Sequence, residues 1–158
     1  MRLYHATLIS NLKTIQTEGL RAGSYWTADL DLLDYYIAAV EEEDGQGLEE
    51  AAVLTMELDA LVKIAQGAGK SLLPDYPGIE EPITGALGRS EDDILEDWEA
   101  SDKSWQDCLA IVQSLKCPVP IESSALAVLE VFTDEVVPIA EHLAELEAHA
   151  GKRRRSPS

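Results

Sequence analysis

A histidine and a hydroxyl residue interrupt the first apolar run of the chain, Leu3–Thr7. The histidine is His5, whose ring nitrogens can donate or accept hydrogen bonds and which titrates near neutral pH. Two aromatic residues, Tyr25 and Trp26, follow in a second short extended segment. A lone histidine is more often a structural residue, so a chemical role for His5 requires suitable neighbours.

The candidate carboxylates lie late in the chain. Glu130 falls inside the apolar run 125–132, and Glu122 just precedes it. A glutamate in a strand faces one side of its sheet, so Glu130 points either to solvent or to a site. Cys108 and Cys117 match neither a metal knuckle nor a disulfide scaffold, which favours buried thiols. Because Cys, His and carboxylate residues nowhere cluster at zinc spacing, the sequence predicts no metal site.

Short strands and helices must position these groups. Alternating or apolar runs predict four strands, at 2–7, 24–27, 51–58 and 125–132. Apolar residues at helical spacing predict three helices capped by Ser10, Thr27 and Ser90. They also predict a helix over 101–115 and a last helix from Pro138 to about His149. The Gly- and Pro-rich segment 67–88 predicts a long loop. This order predicts an α+β domain, and no Gly-rich turn after the first strand supports a doubly wound sheet.

Length and charge limit the class of protein. The 158 residues fit one domain, predicted over 1–150, with a disordered basic tail over 151–158. No apolar run reaches the roughly 18 residues of a membrane helix, and no signal segment is evident, so we expect a cytoplasmic protein without a membrane partner. With 30 acidic against 12 basic residues, the net charge is −18. Such a chain repels nucleic-acid phosphates and suits a basic partner.

Four segments resemble successive parts of one known fold. They are LYHATLISNLKTIQTEGL (3–20), YWTADLDLLDYYIAAV (25–40), AAVLTMELDAL (51–61) and LEVFTDEVVPIAEHL (129–143). Together they resemble the ADP-ribosyltransferase fold, in the subgroup that carries His, Tyr and Glu. That subgroup includes poly-ADP-ribose polymerase-like and tRNA 2′-phosphotransferase-like proteins, and YHAT with NL is also similar to the DNA-targeting toxin branch. The resemblance implies a split, mixed β-sheet with flanking helices and NAD as the cofactor.

The resemblance assigns one set of residues to the nicotinamide end of NAD. His5 would hydrogen-bond a hydroxyl of the nicotinamide ribose. The backbone of Ala6 would hold the nicotinamide amide, at a position where the family usually has glycine. Tyr25 would stack on the cationic ring, a contact worth about 1–2 kcal/mol. Tyr36, or alternatively Tyr35, would flank the ring from the following helix.

A second set belongs to the rest of the cofactor and to the reaction. The resemblance implies that Thr7 supports the ribose, that Asn11 touches the cofactor and that Arg21 meets the pyrophosphate. It also implies a catalytic carboxylate beside the ribosyl cation, with Glu130 favoured over Glu122. Neither glutamate carries the Glu or Gln two places earlier that marks arginine-modifying relatives.

The sequence supports two alternative functions. The first is a transferase that moves ADP-ribose from NAD to a macromolecule, more plausibly a protein than a nucleic acid, as a toxin or a phage or bacterial effector would. The second is a non-catalytic acidic binding or inhibitor protein that mimics nucleic acid. Transfer of an RNA 2′-phosphate to NAD is disfavoured by the acidic charge.

Overall fold

The computed structural model describes residues 1–76, 81–131 and 133–155. Outside them lie part of the predicted loop (77–80), Phe132 of the predicted last strand and residues 156–158 of the predicted tail. The described strands are β1 (Arg2–Leu8), β2 (Ser24–Thr27), β3 (Ala51–Glu57), β4 (Leu73–Pro74), β5 (Ser114–Cys117), β6 (Ala127–Glu130) and β7 (Glu135–Pro138). The described helices are α1 (Leu12–Glu18), α2 (Leu30–Ala39), α3 (Leu58–Gly67), α4 (Glu81–Leu87), α5 (Glu91–Ala100), α6 (Trp105–Val112) and α7 (Ile139–Arg155).

The strands form one sheet in the order β4-β5-β2-β1-β3-β6-β7. Every pairing among the described strands is antiparallel. The predicted α+β class is therefore confirmed, whereas the expected mixed sheet is wrong. Strand direction depends on how the connecting segments return across the sheet, and no local residue pattern fixes that route.

The two faces of the sheet are covered differently. Leu54 of β3 and Val128 of β6 belong to the main core, together with residues of α1, α3 and α7. On the opposite face, Leu33 of α2 packs against Val53 and Leu129. His5 lies directly opposite Leu54 in the β1–β3 register, which places its side chain on the main-core face.

Three short strands were not predicted. Gln113 adopts a left-handed conformation (φ 58°) that ends α6, so the predicted helix 101–115 stops early and β5 follows. β4 and helix α4 lie inside the predicted loop 67–88. Pro138, predicted to open the closing helix, instead ends β7, and α7 continues past His149 to Arg155.

The helix caps are partly as predicted. Ser90 caps α5 by accepting a hydrogen bond from the Asp93 amide, which confirms that prediction. The prediction that Thr27 caps α2 is wrong, because the cap is Asp29, whose carboxylate accepts from the Leu32 amide. The Thr27 hydroxyl accepts from the Asp29 amide instead. The Ser10 prediction is wrong, because Ser10 lies within the 3₁₀ turn that precedes α1. A carboxylate is thus the group that fixes the start of α2.

Candidate active site between strands β1 and β2

The central feature is a local separation of two neighbouring strands. β1 pairs with β2 at one position, Tyr4 with Thr27, although it pairs with β3 at seven. A continued ladder would place His5 opposite Trp26. Instead, Nδ1 of His5 lies 2.6 Å from the main-chain carbonyl oxygen of Tyr25. The imidazole therefore bridges the two strands where their main chains no longer pair.

This contact sets the protonation pattern of the His5 ring. A carbonyl oxygen can only accept, so Nδ1 carries the proton and Nε2 is left as an acceptor. Burial lowers the pKa of His5 below its ordinary 6.5, and the bond to the Tyr25 carbonyl opposes this only in part. The ring is therefore neutral at neutral pH, with Nε2 able to accept a hydrogen bond from a ligand hydroxyl.

Two clefts meet at this separation. The first, here called the apolar cleft, has a volume of about 330 Å³ and is lined mainly by apolar and aromatic groups, among them Tyr4, Ala6, Trp26, Leu33 and Tyr36. The second, the polar cleft, has a volume of about 480 Å³ and is lined among others by Thr7, Asn11, Thr14, Glu18 and Arg21. His5 and Tyr25 line both clefts, so these two residues form a common wall.

The residues predicted to bind NAD divide between the clefts. Ala6 and Tyr36, assigned above to the nicotinamide end, line the apolar cleft. Thr7, Asn11 and Arg21, assigned to the ribose and pyrophosphate, line the polar cleft. Tyr35, the alternative to Tyr36, is not among the residues that line either cleft. The tertiary structure thus brings together groups from β1, α1, β2, α2 and the turn before β2.

The predicted aromatic pair has contrasting environments. Trp26 is 1% exposed, and its indole N–H donates to the Ser24 hydroxyl, so it is a residue of the main core that also lines the apolar cleft. Tyr25 is 52% exposed, and the Lys116 ammonium lies 5.3 Å from its ring centroid. This cation–π contact places a positive charge against the Tyr25 ring, although Lys116 itself is not among the residues that line the clefts.

Tyr36 extends from α2 into the apolar cleft. Burial raises its pKa to about 12, while its hydrogen bond with Ser114 of β5 lowers it by less. The phenol therefore stays neutral at physiological pH. Because Ser114 follows the turn that ends α6, the unpredicted strand β5 helps to fix this ring.

Neither predicted glutamate is among the residues lining the clefts. Glu130 lies one register step beyond Leu129, which is paired with Val53, so it shares the main-core face with His5. Two strand spacings, about 10 Å, separate it from β1. Its carboxylate oxygen lies 3.9 Å from Nδ1 of His142.

Glu122 is placed closer to the polar cleft. The Leu20 amide donates to the carbonyl of Ile121, and the Ile121 amide donates back to Leu20. This bridge brings the Glu122 backbone beside Gly19, which lines the polar cleft. Glu122 itself is exposed at the start of a 3₁₀ turn.

Asp75 is the acidic residue that sequence reasoning missed. It follows β4 and lines the apolar cleft. Burial raises the pKa of Asp75, and the nearby Lys116 ammonium lowers it by less. Its amide donates to Sγ of Cys108, which holds the backbone in place. No local signal marks this position, because Leu73 is brought opposite Lys116 only by sheet pairing.

Comparison with protein-family models, with curated proteins and with solved structures finds no match for this chain. Among the described residues, no helix is both long and apolar enough to cross a membrane.

Proposed function

We propose that the protein binds NAD across the two clefts and transfers its ADP-ribose to a macromolecular acceptor. The observation that carries this proposal is the wall shared by His5 and Tyr25, with an apolar compartment on one side and a polar one on the other. NAD has the same division, since a flat nicotinamide ring is joined through ribose to a charged pyrophosphate. Arg21 lines the compartment suited to the pyrophosphate.

The side chains support a dissociative reaction. The bond between ribose C1′ and the nicotinamide nitrogen breaks, its electron pair leaves with nicotinamide, and positive charge develops on the ribose, as in glycoside cleavage. Nε2 of neutral His5 accepts a hydrogen bond from a ribose hydroxyl and so fixes the sugar. Tyr25 and Tyr36 confine the nicotinamide ring. Arg21 neutralises pyrophosphate charge.

A carboxylate is needed to face the ribosyl cation and to accept the proton of an attacking hydroxyl. Within this proposal we assign that role to Asp75, because it lines the apolar cleft and Glu130 and Glu122 do not. Burial raises the pKa of Asp75 above its ordinary value, so this carboxylate accepts a proton more readily than an exposed aspartate does, which suits a general base. Glu130, on the same sheet face as His5, is the second candidate.

The acceptor fits a protein better than a nucleic acid. The chain carries a net charge of −18, so it repels phosphate backbones at long range and attracts basic surfaces. The same charge supports the competing function, a non-catalytic acidic binding protein that mimics nucleic acid. Chemistry at the clefts distinguishes the two.

The test measures NAD binding by calorimetry and nicotinamide release by chromatography, with and without a basic acceptor protein such as a histone. We expect the wild-type chain to bind NAD and release nicotinamide. Asp75→Asn should lower the release about 100-fold or more. Asp59→Asn, which removes an exposed carboxylate on α3, is the matched control and should change neither readout.

The variants Glu130→Gln and Glu122→Gln, measured in the same assay, identify which carboxylate is catalytic. A loss confined to Glu130→Gln would move the catalytic role to β6 and leave the NAD site intact. Absence of both NAD binding and nicotinamide release would overturn the proposed function. Binding of the histone under those conditions would support the acidic binding protein instead.

A further inference from the structure

Three potential metal ligands meet away from the clefts. Glu130 ends β6, while His142 and Glu145 lie on α7, three residues apart and hence on one side of the helix. One ligand atom from each lies within 4.8 Å of the other two. We call these three residues the β6–α7 cluster.

The His142 ring supplies an independent sign that a ligand belongs here. Its Nδ1 atom is buried and has no hydrogen-bond partner among the described residues. The Glu130 oxygen at 3.9 Å is beyond hydrogen-bonding distance. A buried polar atom without a partner costs free energy and is a common indication of a missing ion or water.

Negative charge is concentrated at the same place. Glu135 of β7 lies directly opposite Glu130 in the β6–β7 register, so both carboxylates project from one face of the sheet. Like charges in this relation destabilise a strand pair. A cation held by Glu130 would remove that repulsion, whereas a hydrogen-bonding water would not.

We propose that Glu130, His142 and Glu145 bind one divalent transition-metal cation of the zinc type. The combination of a neutral imidazole nitrogen with two carboxylate oxygens favours zinc, because magnesium and calcium prefer oxygen ligands alone. Three protein ligands leave a coordination position for water. Glu145 is exposed, which provides a route of entry for the ion.

The bound ion would connect α7 to the edge region of the sheet. Because the site uses none of the residues that line the clefts, it is independent of NAD binding. Its use of Glu130 as a ligand also agrees with Asp75, and not Glu130, serving the reaction. Sequence spacing does not reveal the cluster, since Glu130 is 12 residues from His142. The two residues come close only because the chain turns back through β7 and enters α7.

The experiment uses the full chain without an affinity tag, freed of metal by a chelator and titrated with Zn²⁺ by calorimetry. We expect one zinc per chain and a higher thermal unfolding midpoint with zinc bound. His142→Ala and Glu145→Gln should each weaken binding at least about tenfold. His149→Ala, on the same helix but outside the cluster, is the matched control and should bind like wild type. Mg²⁺ should neither bind nor raise the midpoint.

Failure of the wild-type chain to bind zinc would overturn the proposal, as would wild-type affinity in both cluster variants. Loss of binding in His149→Ala would place the ion elsewhere. Glu145 is exposed, so its variant keeps the test valid if His142→Ala does not fold. NAD binding measured in the presence of the chelator separates this result from the proposed function.

Discussion

The two edges of strand β1 differ in what they contribute. Along one edge, β1 and β3 pair at seven positions and bury Leu3 and Leu54 completely. Along the other, β1 and β2 pair once, and the imidazole of His5 bridges them. The paired edge therefore builds the core and the open edge builds the clefts. A single strand can do both because its two rows of hydrogen-bonding groups are independent.

The cause of the opening lies in the turn before β2. Leu20 pairs with Ile121 in both directions, and the Gly23 amide donates to the Cys117 carbonyl. The chain entering β2 is thus tied to the segment after β5 rather than to β1. Gly19 permits this route, because it has φ 75° and a Cβ there would overlap the Ile121 carbonyl oxygen. The ladder between β1 and β2 ends as a result.

The largest expected effect is at the paired edge. Leu54→Ala should lower the free energy of unfolding by about 2–5 kcal/mol, because it leaves a cavity at a fully buried position. Urea titration followed by circular dichroism measures this. Leu48→Ala, at a position that is 89% exposed, is the control and should stay within about 0.5 kcal/mol of wild type. Equal losses in both variants would contradict the assignment of the core.

At the open edge, Gly19→Ala should cost about 1–3 kcal/mol, because its backbone lies in a region open essentially to glycine alone. The same change displaces the turn that lines the polar cleft, so NAD affinity should fall together with stability. Gly69 also has a positive φ, but a Cβ added there would meet no atom within 4 Å. The variant Gly69→Ala therefore tests backbone strain without steric overlap. We expect Gly69→Ala to leave NAD affinity unchanged; an equal loss there would argue against the turn as the cause.

His5→Asn should separate the structural and chemical roles of the imidazole. The asparagine amide N–H can replace Nδ1 as donor to the Tyr25 carbonyl, but nothing replaces Nε2. We expect stability within about 1 kcal/mol of wild type and NAD affinity about tenfold lower, as for one lost hydrogen bond. Calorimetry and urea titration on the same samples test this. Unchanged affinity would remove His5 from the ligand site.

The smallest expected effect is the pH dependence of stability and of NAD affinity that comes from the protonation of His5. Its pKa is lowered in the folded chain, so between pH 8 and the ordinary value of 6.5 the ring is neutral and NAD affinity should stay constant. As the pH falls below 6.5, His5 is protonated in the unfolded chain but stays neutral in the folded chain. The contribution of His5 to the free energy of unfolding therefore decreases until the pH reaches the pKa of His5 in the folded chain. The difference between wild type and His5→Asn in urea midpoints isolates this contribution. A difference that grows with acid in favour of wild type would reverse the sign.

Local patterns predicted the elements whose residue types give a clear signal, such as β-branched and aromatic residues in a strand or a serine at a helix start. The extended segment Ser24–Thr27 and the Ser90 cap of α5 appear as expected. The strands that were missed are two to four residues long and exist because a neighbouring strand completes their hydrogen bonds. β5 is the clearest case: the apolar spacing predicts a helix through Leu115, whereas the left-handed backbone of Gln113 ends the helix and β5 begins at Ser114.

The sequence by itself determined which groups are available: the polar and aromatic residues of segments 3–7, 11–21 and 25–36, the acidic charge and the α+β class. Only the tertiary structure decided which groups share a cleft. It separates β1 from β2 beyond a single residue pair and places Asp75 at the apolar cleft. It places Glu130 beside His142, away from the clefts. The physical reason is that neighbours across a sheet depend on strand order and on distant hydrogen bonds such as those between Leu20 and Ile121, which no short stretch of sequence encodes.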